Sequence, residues 1–336
     1  MNYHEDKEKS KQFKEEYVSG LNRIIELRQK EAQLKRHEFC KNIFENQEFY
    51  REEFRKMLGW PLVEHFTQGL PEVKTEFLSQ EDGYSIYRMH FGILPGLTLT
   101  GLFFKMDTDS PAPLVITQHG GQGTPELASG IHGDTFNYNN MIQRVINQKV
   151  HCFAPQLLLW ADEYEVSYNR DVIDAQLKRV GSSITAVEVY GITRILDYFE
   201  NQNYVSSFGM VGLSYGGFYT LYTSAIDTRI KAAVSSSIFY RRDEDPRIDM
   251  TWLNSAYKFD DAEIACLVYP RNLHLEMGDH DELFNYKHTL ESFEFLKEHC
   301  KDVGTDWVDL VIFDGSHEFF KNDEPVINLV EILKNI

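Results

Sequence analysis

Residues 205–226 read Val-Ser-Ser-Phe-Gly-Met-Val-Gly-Leu-Ser-Tyr-Gly-Gly-Phe-Tyr-Thr-Leu-Tyr-Thr-Ser-Ala-Ile. The first nine predict a strand, Val205 to Leu213, and the stretch from Phe218 to Ala225 predicts a helix. Between them Gly212, Leu213, Ser214, Tyr215 and Gly216 form a Gly-x-Ser-x-Gly pattern, extended by Gly217. A strand that turns this abruptly into a helix leaves no room for side chains on either side of the turn. Glycine meets that demand, and the serine is left exposed in a strained backbone position. A glycine-serine turn in which Ser214 merely caps a helix would explain this segment alone, but not the partners found elsewhere in the chain.

An unassisted serine hydroxyl is a weak nucleophile and needs a base within hydrogen-bond reach. His317 is the best-placed candidate, in Gly315-Ser316-His317 directly after the apolar strand 308–313. That is the C-terminal end of a strand, where parallel sheets bind their ligands. The acid that orients the base should lie between serine and histidine in chain order. The strand 273–277 exits through Gly278-Asp279-His280-Asp281. Asp281 is the favoured acid because the extra residues let the chain turn back, while Asp279 is the rival and suits a turn.

Attack on a carbonyl creates an oxyanion, which needs N–H donors placed where the charge develops. The backbone N–H of Tyr215 is one candidate. The second is the Gly120 or Gly121 amide in Gln118-His119-Gly120-Gly121, which follows the apolar strand beginning near Pro113. Trp160, Phe239 and Tyr240 are candidate walls of a substrate pocket, although aromatic residues at such positions often belong to the core.

Around this centre, short strands alternate with longer helices, among them a helix over 184–200. This predicts a mainly parallel central sheet with helices on both faces. The segments 85–91 and 97–104 read as outer antiparallel strands, 138–147 and 282–298 as helices, and 241–257 as a charged insertion. Ahead of them, 9–57 contain no proline and one glycine, with partial helical periodicity closed by Gly59 and Pro61. The expected organisation is a helical N-terminal extension, 1–59, followed by an α/β catalytic domain, 60–336. The extension either packs on that domain or presents an apolar stripe to a second subunit as a homo-oligomer contact.

The 336 residues carry a formal charge of −18. That argues against nucleic acid and anionic membrane as partners, which need a basic face. The polar start, Met1 to Ser10, lacks the apolar core of a signal peptide, so a cytoplasmic protein is expected. Cys40, Cys152, Cys266 and Cys300 share no metal-ligand spacing. Asp134, Asp162 and Asp174 lack a histidine cluster and read as surface or loop charges. No metal is expected, and no cofactor: the Gly120, Gly121, Gly123 spacing fits no nucleotide fingerprint.

With these motifs in place, residues 60–336 resemble the α/β-hydrolase superfamily, and more narrowly its dienelactone-hydrolase and acetyl-xylan-esterase-like branch. The resemblance rests on the 118–121 loop, the 212–217 elbow, Asp227-Thr228-Arg229-Ile230-Lys231-Ala232, and Pro270-Arg271. It implies an α/β-hydrolase fold and a serine esterase acting on a small-molecule carboxylic ester with a small acyl group. It also implies structural roles for Arg229 and Arg271. A serine peptidase of the same fold is the nearer alternative, and a non-enzymatic binding scaffold the more distant one. Tyr215, where glucuronoyl-esterase-like proteins commonly carry arginine, and serine in place of the cysteine usual in dienelactone hydrolases point to a general carboxylesterase.

Overall fold

The computed structural model describes residues 1–60, 69–160, 168–242, 245 and 247–336. Pro61 and Asp162 lie outside these residues. Nine strands form one sheet in the order β1-β2-β3-β5-β4-β6-β7-β8-β9. β1 (Glu72–Glu81), β2 (Tyr84–Leu94) and β3 (Leu97–Met106) are antiparallel neighbours, and β3 also runs antiparallel to β5 (His151–Pro155). From β5 onward the sheet is parallel through β4 (Ala112–Gln118), β6 (Val205–Leu213), β7 (Ile230–Ser236), β8 (Asn272–Gly278) and β9 (Val308–Phe313). The sheet is therefore mixed at one side and parallel through its centre.

The parallel strands are apolar on both faces because both are covered. Along β4, Leu114 and Ile116 enter one core, with residues of helices Ile184–Glu200 and Tyr215–Ile226. Val115, between them, enters the other, with residues of helices Met141–Asn147 and Glu324–Lys334. After β4 the chain crosses to β5 on one side and returns to β6 on the other. This makes the β4–β6 boundary a topological switch point, where crevices open at the strand C-termini. The register pairs Gln118 with Gly212, so the loop after β4 and the elbow after β6 emerge side by side.

The N-terminal extension is two helices, Lys7–Phe39 and Gln47–Leu58. The second is embedded: Tyr50, Phe54 and Leu58 are buried in the same core as the sheet. Its Arg51 donates to the carbonyls of Ala225 and Leu267 at 3.2 and 3.1 Å. Gly59 ends it at φ +90°, and a side chain there would meet Gly181 O at 2.6 Å. The first helix buries only Ala32. No helix among the described residues is long and apolar enough to cross a membrane.

Arg229 and Arg271 hold backbone and carboxylates together below the elbow helix. Arg229 pairs with Asp227 at 2.6 Å and Asp197 at 2.8 Å, and Arg271 donates to the carbonyls of Ile230 at 2.9 Å and Leu267 at 3.0 Å. Asp174 corrects the surface reading of that residue. It is buried, accepts the Ile184 amide at 2.9 Å and pairs with Lys178 at 2.6 Å.

Candidate active site

Ser214 sits between β6 and the helix Tyr215–Ile226 at φ +60°, ψ −123°, a conformation costly for a residue with a side chain. Two restraints hold it there. Its N–H donates to Ser236 O at 2.8 Å, and its carbonyl accepts the Phe218 amide at 2.9 Å. The flanking glycines are obligatory: a Cβ on Gly212 would lie 2.3 Å from Gly216 O, and one on Gly216 would lie 2.0 Å from Gln118 O. The elbow is thus pressed against the loop after β4, and no larger residue fits at either position.

His317 and Asp281 meet at the ends of the neighbouring strands. His317 Nδ1 lies 2.7 Å from Asp281 Oδ2, and the carboxylate is screened from solvent. The other oxygen, Oδ1, accepts the amides of Leu283 and Phe284 at 2.8 and 3.0 Å. These bonds form an aspartate turn that delays the next helix to Tyr286, four residues after the predicted start. Asp279 points elsewhere, accepting the Gly315 amide at 3.3 Å, and so holds the histidine loop rather than the histidine ring. On its outer side Phe284 faces the imidazole, ring centroids 5.5 Å apart.

The loop after β4 is organised by buried side chains. Tyr138 Oη accepts the Gly120 amide at 2.8 Å, which removes Gly120 from the candidate oxyanion donors. The Gly121 amide is left as the loop's candidate, beside that of Tyr215, which as the first residue of a helix has no intrahelical acceptor. His119 is buried and joins this loop to the next strand. Its Nδ1 lies 3.0 Å from Gly120 O, and its Nε2 accepts the Leu157 amide at 3.2 Å. That pattern fixes the tautomer with the proton on Nδ1. Burial pushes the His119 pKa down to about 4.

The sign of the resulting pH dependence follows. A His119 that titrates near 6.5 when unfolded but near 4 when folded takes up its proton on unfolding between those values. Its contribution to stability is complete above about pH 6.5 and is lost as pH falls toward 4. Thermal melts across that window should therefore fall more steeply for the wild type than for His119→Gln. Parallel slopes would contradict the assignment.

The sequence pattern predicts that a helix starts at Tyr138. The segment is instead a tight turn, Phe136–Tyr138, with Phe136, Asn139 and Asn140 all at positive φ, and the helix begins at Met141. This turn binds both halves of the site. Tyr138 holds Gly120, while Asn137 Nδ2 donates to His317 O at 3.0 Å and Asn139 Nδ2 to Phe319 O at 2.7 Å. The Asn137, Asn139, Asn140 cluster was the available signal, since asparagine tolerates left-handed backbone.

Of the candidate pocket residues, Trp160 packs edge-on to Tyr215 at 5.0 Å and would contact any side chain at Gly121. Tyr240 packs against Phe284 at 5.0 Å, which in turn faces His317. Phe239 is 1% exposed and belongs to the core, so its assignment as a pocket wall is corrected. Beneath Tyr215 lies a charged cluster with no local sequence signature. Arg170 pairs with Asp249 at 2.7 Å and Glu188 at 3.0 Å, and Tyr215 Oη donates to Asp249 at 3.1 Å. This anchors the first residue of the elbow helix from below. Asp279, His280 and Asp314 could together offer ligands to a cation at the outer surface of the histidine loop, where the His280 Nε2 lies 3.6 Å from Asp279 Oδ1 and 3.5 Å from Asp314 Oδ1.

No family profile and no curated protein matches the sequence. Solved structures do match. A Bacteroides fragilis NCTC 9343 protein provisionally named an acetyl xylan esterase superposes with a TM-score of 0.66 at 17% identity, over 81% of this chain and 76% of that one. Acetyl xylan esterase 1 from Thermoanaerobacterium sp. JW/SL YS485 gives 0.59 at 15%, covering 86% and 93%. A glucuronoyl esterase from Solibacter usitatus gives 0.59 at 13%, covering 84% and 91%. At such identities the likeness speaks for architecture alone, and together with the sheet order and the strand-to-helix elbow it establishes that this chain has the α/β-hydrolase fold.

Proposed function

We propose that the chain hydrolyses carboxylic esters with a small acyl group, using Ser214 as nucleophile, His317 as general base and Asp281 as the residue that orients it. The observation that carries this reading is the joint placement of a strained Ser214 at the strand-helix elbow and a shielded Asp281–His317 pair at 2.7 Å, all at the C-terminal edge of the parallel sheet. Two structural neighbours named for acetyl xylan esterase activity support the choice of a small acyl group.

In this mechanism Ser214 Oγ attacks the ester carbonyl while His317 takes its proton. The negative oxygen is held by the amides of Tyr215 and Gly121. His317, stabilised in its charged form by Asp281, then protonates the departing alcohol. Water activated by the same imidazole cleaves the acyl-enzyme and frees Ser214. The buried Arg170–Asp249 pair keeps Tyr215 in place through its hydroxyl, so that its amide is preorganised.

The test is a panel of 4-nitrophenyl acetate, butyrate and octanoate, acetylated xylo-oligosaccharides, and a peptide 4-nitroanilide. The acetates should give the highest kcat/KM, and the anilide should be at least about 10³-fold poorer, a difference of roughly 4 kcal/mol in transition-state stabilisation. Comparable cleavage of the anilide would move the reading to a peptidase. Folded protein inert toward every ester would overturn it.

A further inference from the structure

The helix Lys7–Phe39 leaves the body of the protein with its apolar face uncovered. From Lys7 to Arg28 every residue is exposed except Gly20, which is half-buried. Its anchorage lies at the other end: Ala32 is buried, Arg36 pairs with Glu263 at 3.0 Å, and Cys40 Sγ lies 3.2 Å from Lys258 O. The free part is 22 residues by its numbering, or about 33 Å at 1.5 Å per residue.

That free part is amphipathic. Phe13, Tyr17, Leu21 and Ile24 recur at spacings of four, four and three residues, and so lie on one face, widened by Val18 and Ile25. Glu8, Lys11, Glu15, Ser19, Asn22 and Glu26 occupy the opposite face. All six apolar residues are at least 42% exposed, with Tyr17 at 71%. Lys14, four residues before Val18 and seven before Leu21, is the one charged side chain among these six apolar residues, and a stripe of this kind marks an interaction surface.

We infer that the stripe pairs with its counterpart on a second copy of this chain, antiparallel, about a two-fold axis near Gly20. Charge selects the occupant. Residues 1–57 hold 13 basic and 12 acidic side chains, leaving 34 − 13 = 21 and 52 − 12 = 40 for 58–336, so the extension is near neutral and the rest carries a charge of −19. An anionic surface is repelled by that body, whereas a second neutral helix is not. The flanks are self-complementary in the antiparallel sense: rotation about a point near Gly20 sets Glu16 opposite Arg23 of the partner subunit and Arg23 opposite Glu16 of the partner subunit. Tyr17 then meets Leu21 of the partner subunit, and Phe13 meets Ile25 of the partner subunit. Glycine at the axis lets the backbones approach.

Direction follows from the same charges. Parallel pairing would put the two bodies side by side at one end. Antiparallel pairing separates their attachment points near Arg28 by about 24 Å along the helices, roughly three Debye lengths at physiological salt. Closed two-fold symmetry uses the same patch on both copies and leaves no open surface for further growth.

The test uses the full chain. Sedimentation at tens of micromolar should give twice the 39.2 kDa protomer, and Leu21→Glu combined with Ile24→Glu should give the protomer with an unchanged thermal melt. The native thiols are buried, so introduced cysteines report cleanly. Mixing Phe13→Cys with Ile25→Cys protein should form the mixed disulfide at least about fivefold faster than either variant forms its own. A wild-type protomer at these concentrations, a dimer insensitive to the double substitution, or preferential self-crosslinking of Phe13→Cys would each overturn the inference. Binding of a monomeric wild type to phosphatidylcholine vesicles would assign the stripe to a lipid surface instead.

Discussion

Ser214→Ala should fold as the wild type does and lose ester hydrolysis by about 10⁴- to 10⁶-fold. The expectation rests on the elbow. Alanine suits the site sterically, since Ser214 is held by backbone bonds from Ser236 and to Phe218, and its side chain makes no capping bond to the following helix. Removing one oxygen therefore removes the nucleophile without loosening the turn. A small residual rate is expected because the oxyanion donors and the binding surface remain. Circular dichroism and thermal melts establish the fold, and burst kinetics with 4-nitrophenyl acetate establish the loss. Wild-type turnover in the verified variant would remove Ser214 from the mechanism.

Asp281→Asn and Asp279→Asn should separate by a wide margin although the residues are two apart. At position 281 the amide can still accept the Leu283 and Phe284 N–H groups through its oxygen, so the turn survives. What is lost is the charge beside His317 Nδ1 and the acceptor that fixes the imidazole tautomer. Acylation should fall by roughly 10²- to 10⁴-fold. At position 279 the amide oxygen can likewise still accept the 3.3 Å bond from the Gly315 N–H and only a partly exposed charge is lost, so melting should drop slightly at most and acylation should change less than about fivefold. Single-turnover acylation at matched folded fractions distinguishes the two, and the reverse ranking would reassign the acid.

The parts of this protein that were legible in its sequence are those set by local rules. The strand 205–213, the helix 184–200 and the strand 308–313 appear with the bounds their apolar patterns indicate. The elbow was legible because only glycine fits two positions pressed against other backbone. Asp281 was legible as a loop argument, and its partner distance as nothing more than an expectation.

What escaped were features decided by distant contacts. Strand β1 is exposed along most of its length and shows no apolar alternation, since its place comes from pairing with β2. The N-terminal helices read as one unit, yet the break at Cys40 to Asn46 separates a projecting helix from one that fills the core. Deleting residues 1–57 would remove Tyr50 and Phe54 from that core, so any truncation meant to spare the chemistry must stop before Ala32. The Arg170–Glu188–Asp249 cluster unites residues 18 to 79 positions apart, beyond the reach of any local pattern. Gly120 and Gly121 were equivalent in sequence until the Tyr138 hydroxyl distinguished them.

The central claim is that Ser214 is a nucleophile activated by His317. Reaction of the folded chain with a fluorophosphonate probe, followed by peptide mapping, tests it without choosing an ester in advance. The predicted result is a single adduct on the peptide bearing Ser214, formed at least about 10²-fold more slowly in His317→Ala and not formed in Ser214→Ala. An adduct on a different residue, or equal labelling of wild type and His317→Ala, would contradict it.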